Sequence, residues 1–140
     1  MENLKLISKV ARVQAELKVP KGQLNKFGGF KYRSCEDIVE SVKPILTKYE
    51  LVLNISDEIV LIGDRYYVKA TASLTDGEDV IFSEALAREP QMLKSMSESQ
   101  ITGTASSYAR KYALNGLLAI DDTKDADTNE FCNQTKHKVY

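Results

Sequence analysis

The sequence predicts an α+β domain in which helices pack against an antiparallel three-stranded meander. Three observations carry that prediction. Residues Tyr66–Thr75 alternate apolar and polar side chains, the pattern of a strand with one dry and one wet face. Gly63-Asp64 and Asp76-Gly77 supply tight turns on either side, and tight turns join antiparallel neighbours. Helical periodicity brackets the strands on both sides, giving the order α, α, β, β, β, α.

Residues 2–18 read as the first helix, with Leu4, Ile7, Ala11 and Leu17 near one face and Lys5, Lys9, Arg12 and Glu16 near the other; Pro20 and Gly22 end it. Lys21 to Arg33 has no helical period and reads as a loop or short hairpin. It interleaves Phe27, Phe30 and Tyr32 with Lys26, Lys31 and Arg33 around Gly28-Gly29. Rings that stack on bases among charges that meet phosphates are the composition of single-strand nucleic-acid contacts. The same Phe27 and Phe30 could equally plug the core. Ser34 followed by Asp37 is a capping-box pattern that opens a second helix to about Tyr49, with Ile38, Val42, Ile45 and Tyr49 facing inward. Pro44 predicts a kink or an earlier end.

The first strand begins near Leu51-Leu53-Ile55 and runs to Ile62 with a break expected at Asp57-Glu58. In the second, Tyr66, Val68, Ala70, Ala72 and Leu74 form the dry face; Val80–Arg88 is the third. Pro90 and Gln91–Met96 connect to a long helix opened by a second capping-box pattern, Ser97 with Gln100. Its dry face is expected to be Ile101, Ala105, Tyr108, Tyr112 and Leu117, leaving Arg110 on the wet one. Arg110 and Lys111 are adjacent cations pointing away from the tyrosines, suited to a polyanion such as nucleic-acid backbone or simply solvated. Residues 1–120 are thus expected to form one domain and 121–140 a polar, acidic, mobile tail.

The net charge of −1 hides an asymmetry. Residues 1–33 carry eight cations against Glu2 and Glu16, whereas the final twenty carry Asp121, Asp122, Asp125, Asp127 and Glu130 against three cations. Such separation suits a polyanion partner or head-to-tail subunits. No apolar run is long enough to cross a membrane and no signal region opens the chain, which predicts a cytoplasmic protein. Cys35, Cys132 and His137 have no metal-ligand spacing, and no phosphate-binding G-x-x-x-x-G-K-[ST] loop is present, so neither zinc nor a nucleotide cofactor is expected.

Lys31-Tyr32-Arg33-Ser34, the meander, the string Ser107 to Leu114 (SYARKYAL) and the aspartates from Asp121 resemble the Erf (essential recombination function) family of phage single-strand annealing proteins, over roughly residues 1–127. Lys111 stands where that family more usually has arginine, and the aspartates are spread as DDTKDAD. The resemblance implies a β-β-β-α core shared with ring-forming annealing proteins. It also implies binding of single-stranded DNA, assembly as a homo-oligomeric ring or filament, and strand pairing without ATP or catalysis. A phage exonuclease or a host single-strand-binding protein would be a further partner. Lys26, Lys31, Arg33, Arg110 and Lys111 become the candidate cations of a DNA groove, Phe27, Phe30 and Tyr32 its stacking or wedge groups, and Arg65, Lys69 and Arg88 second-rank cations on the sheet. The rival readings are a Mg²⁺-dependent nuclease built on Asp121, Asp122, Asp125 and Asp127, a passive single-strand coat protein, and a structural oligomer joining basic to acidic surfaces.

Overall fold

A computed structural model of the protein describes residues 4–25, 30–89 and 97–120, the side chains of Asn25, Phe30, Lys31, Glu98, Ser99 and Ile101 excepted. The elements run α1 (Leu6–Glu16), β1 (Gln23–Asn25), β2 (Phe30–Tyr32), α2 (Cys35–Lys48), β3 (Val52–Ile62), β4 (Arg65–Thr75), β5 (Val80–Arg88) and α3 (Glu98–Leu118). β4 is the middle strand of an antiparallel meander β3-β4-β5, and β1 pairs with β2 as a separate hairpin with Gln23 opposite Tyr32. The α+β fold expected from the sequence is the fold observed.

Turn chemistry explains the meander. Gly63 takes φ +64° between β3 and β4, and Gly77 takes φ +98° between β4 and β5, backbone conformations that glycine adopts without a Cβ penalty. In the second turn the Asp76 carboxylate accepts the amides of Glu78 and Asp79, each at 2.9 Å. Those two amides hold its pKa below the usual aspartate value.

The face of β4 bearing Val68, Ala70, Ala72 and Leu74 is fully buried, and α3 lies on it and on β5. The buried stripe of α3 is Ala105, Ala109, Ala113, Leu114, Leu117 and Leu118. Alanine against alanine brings helix and sheet close: a Cβ added at Gly116 would sit 2.7 Å from the Ser83 hydroxyl on β5. α1 and α2 pack on each other and on α3 through Leu6, Val10, Val13, Ile38, Val42 and Leu46. Both capping boxes form. Ser34 accepts the Asp37 amide while the Asp37 carboxylate accepts the Ser34 amide, and Ser97 and Gln100 do the same for α3.

Four local expectations change. In α1 the buried residues are Leu6, Val10, Val13 and then Leu17, while Ile7 is 65% exposed. Two apolar stripes lie one residue apart on that helix, and only the neighbours α2 and α3 select between them. In α3 the stripe turns toward the alanines, leaving Tyr108 46% exposed and Tyr112 half-buried, because tyrosine is too large for the close helix–sheet contact. Helix α2 does not end early but continues past Pro44 to Lys48; Glu40 and Pro44 are both exposed, so the carbonyl deprived of its amide faces water. Strand β3 is continuous through Asp57-Glu58, each opposite a β4 residue. The Gln91–Met96 connector, the tail 121–140, Lys26 and Phe27 lie outside the described residues.

Candidate nucleic-acid interface

Strand alternation sorts the candidate cations by face. Asp57, Ile59 and Leu61 of β3 share the α3-facing side with Val68 of β4, whereas Arg65, Lys69 and Glu84 lie on the opposite side. Arg65 donates from Nη2 to the Glu89 carbonyl at 2.9 Å, and the Lys69 ammonium is 3.3 Å from the Glu84 carboxylate. The sheet therefore separates Arg65 and Lys69 from the helix α3 cations. Arg88 is exposed at the end of β5, and alternation puts it with Lys69.

On the α3 side, Arg110 and Lys111 do different things. Lys111 is only 5% exposed, and its ammonium lies 5.7 Å from the centre of the Tyr32 ring, a cation–π contact that ties the hairpin to α3. The expected solvated pair of cations is thus one surface cation and one buried tether. Arg110 keeps 40% of its side chain exposed and donates from Nε to the Asp57 carboxylate at 3.0 Å and 3.2 Å. The Ser106 hydroxyl, one turn back on α3, donates to the same carboxylate. Cys35, at the first turn of α2, is near both charges. Burial pushes its thiol pKa up, Glu36 adds to that, Arg110 opposes it and Asp57 adds a little.

Arg33, placed by the sequence among the groove cations, is 9% exposed and donates from Nε to the Val19 carbonyl at 3.2 Å. It braces the segment after α1 against the hairpin and lines a cleft with Lys18, Pro20 and Ile120. Phe30 and Lys31 are placed on β2 by their backbone alone, with Lys31 opposite Leu24. Lys26 and Phe27 follow β1 in the sequence and lie outside the described residues. Of the ten predicted DNA-contacting residues, Tyr32, Arg110 and Lys111 are brought to one region, with Phe30 and Lys31 on the strand that carries Tyr32.

Sequence reasoning missed Asp57 and Ser106, and misplaced Tyr108, whose exposed ring stacks on Tyr112 with centroids 6.2 Å apart. A signal for Asp57 was present. It occupies the α3-facing register position in the series Leu53, Ile55, Asp57, Ile59, Leu61, the one carboxylate in an otherwise apolar row beside the helix, and such a carboxylate pairs with a cation of that helix. Among the described residues no helix is long and apolar enough to cross a membrane, and no group of three metal-ligating side chains occurs. The Asp121 cluster lies outside the described residues.

The comparisons agree with the resemblance. The chain is 60% identical over 127 residues to the Essential recombination function protein of Salmonella phage P22, a match covering 91% of this chain and 61% of that protein. The chain therefore spans about three-fifths of the length of that relative. No solved structure matches it. The ERF superfamily model matches residues 6–139, nearly the whole sequence, and with the P22 relative it establishes that this chain belongs to the ERF superfamily.

Proposed function

We propose that this chain acts in phage homologous recombination by binding single-stranded DNA and annealing complementary strands, without ATP and without cutting DNA, in the cytoplasm of a bacterial host. The observation that carries the reading is Arg110: a half-exposed guanidinium on α3, held by Asp57, near a β1–β2 segment whose sequence is rich in cations and aromatics. Annealing needs one strand gripped by its phosphates while its bases stay available to a second strand. Arg110 supplies such a grip, with Lys31 and Lys26 of the hairpin as further phosphate contacts and Tyr32, Phe30 and Phe27 as stacking groups. The name of the P22 relative, Essential recombination function protein, favours this role over a structural oligomer.

Assembly into a ring or filament is part of the proposal. Among the described residues β3 and β5 each pair on one side only. β3 offers an eleven-residue edge without proline, with Ile59, Leu61 and Ile62 exposed, and β5 a nine-residue edge with Val80, Phe82 and Leu86 exposed. Long apolar edges of this kind template pairing with another chain, so β5 of one copy against β3 of the next would extend the sheet. A phage exonuclease or host single-strand-binding protein would supply or clear the strand.

The test is the rate at which two complementary fluorescent oligonucleotides pair in EDTA, with wild type and with Arg110→Ala checked for folding by circular dichroism. Faster pairing by wild type, reduced in the folded variant, is the expected result. Binding without faster pairing would replace annealing by passive coating, and shortened strands with Mg²⁺ would replace it by nuclease action. Absence of binding at any salt concentration would leave the structural oligomer.

A further inference from the structure

The Arg110 guanidinium offers five donors, and the Asp57 carboxylate takes only the one on Nε. Among the described residues no hydrogen bond uses either Nη nitrogen. Asp57 is itself held, because Ser106 donates to its Oδ2 from one turn earlier on the helix. The carboxylate stands on β3, in register with Ala70 of the buried β4 face, on a side chain too short to follow a swinging arginine. A long, rotamer-rich side chain is thereby anchored at its root, with its two-pronged end left over. That end is the part of arginine that matches a phosphate in two places.

The geometry points to Asp57, with Ser106 beneath it, as a positioning residue that aims the Nη fork of Arg110 at a phosphate of the bound single strand. The inference rests on the DNA-binding reading above and adds a residue that charge alone would assign the opposite effect. An acid beside a polyanion site repels the ligand, so its removal should tighten binding if long-range charge decides. If alignment decides, its removal weakens binding, because the freed guanidinium must be ordered anew on each phosphate.

Fluorescence anisotropy of a labelled oligo-dT across a salt series separates the two, with wild type, Asp57→Ala, Arg110→Ala, the double variant and Asp57→Asn, each verified as folded by circular dichroism. Asp57→Ala and Arg110→Ala should each weaken binding about three- to tenfold, the loss of roughly one charge-assisted contact. Each should also flatten the slope of log affinity against log salt by about 0.7, one phosphate contact on a single strand. The double variant should be no weaker than Arg110→Ala. Asp57→Asn, which keeps one acceptor oxygen, should fall between wild type and Asp57→Ala.

Unchanged or tighter binding by Asp57→Ala, alongside weaker binding by Arg110→Ala, overturns the positioning role and makes Asp57 a competitor of phosphate. A loss with Asp57→Ala that persists undiminished when Arg110 is already alanine overturns it in favour of a general structural effect. Wild type that binds no oligo-dT overturns the DNA-binding reading itself, a result distinct from either.

Discussion

The Lys111 ammonium sits 5.7 Å from the centre of the Tyr32 ring, joining the last residue of the hairpin strand β2 to the middle of α3. A cation that composition would place at the surface is 5% exposed and serves as a tether. Its neighbour Arg110 keeps 40% of its side chain in solvent. The two therefore separate under mutation. Lys111→Ala should cost about 1–3 kcal/mol of stability through lost packing of the stem and the ring contact. Arg110→Ala, losing a partly exposed ion pair, should cost under about 1 kcal/mol. Urea unfolding of the two single variants measures both, and equal losses would contradict the assignment.

The glycines of α3 are not equivalent. A Cβ at Gly103 would meet nothing within 4 Å, so Gly103→Ala should stabilise by up to about 1 kcal/mol through helix propensity. At Gly116 the same change drives a Cβ toward the Ser83 hydroxyl, and the gain should shrink or reverse. Adding Ser83→Ala should restore it, since the nearest remaining atom is Ser83 Cβ at 3.7 Å. Thermal unfolding of the three variants reads the difference.

Two helices end on left-handed residues that are not glycine, Glu50 at φ +57° and Ala119 at φ +56°. Glycine at either position should raise stability by about 1 kcal/mol by removing the Cβ penalty. Chemical denaturation provides the check, and a loss of stability at both sites would contradict it.

The α2 cap makes acid sensitivity local. The Ser34 amide donates to the Asp37 carboxylate at 2.8 Å and holds its pKa below the ordinary 3.8, and the Ser34 hydroxyl and Gln23 amide add to this. A depressed folded-state pKa contributes stability that is fully present above pH 3.8 and is lost as pH falls through the lower folded value. Asp37→Asn should therefore lower stability near neutral pH and flatten its decline below pH 3.8, as followed by urea midpoints across pH. Ser34→Ala should cost about 1 kcal/mol.

Charge placed on a strand edge tests assembly. Ile59 is 50% exposed on β3, and Ile59→Lys should shift the protein toward smaller species in light scattering while leaving its circular dichroism intact. Unchanged particle size would exclude that edge as a subunit contact.

The sequence by itself determined the order of the three helices and the meander, the meander's turns, and both capping boxes. Each depends on residues within a few positions of one another: the alternation from Tyr66 to Thr75, Gly63 and Gly77, Ser34 with Asp37, and Ser97 with Gln100. It also marked the SYARKYAL helix and the hairpin as the region of interest. Tertiary structure alone decided which faces are dry. The choice between Ile7 and Leu6 on α1, or between Tyr108 and Ala109 on α3, depends on how closely a distant element approaches. It decided the site in the same way. Arg33 donates a hydrogen bond from Nε to the Val19 carbonyl, Lys111 lies buried beside the Tyr32 ring, and Arg110 remains partly in solvent on the carboxylate of Asp57, fifty-three residues away in the chain. Charge is written residue by residue, but whether a charge meets water, a ring or a carboxylate is fixed by packing between elements far apart in sequence.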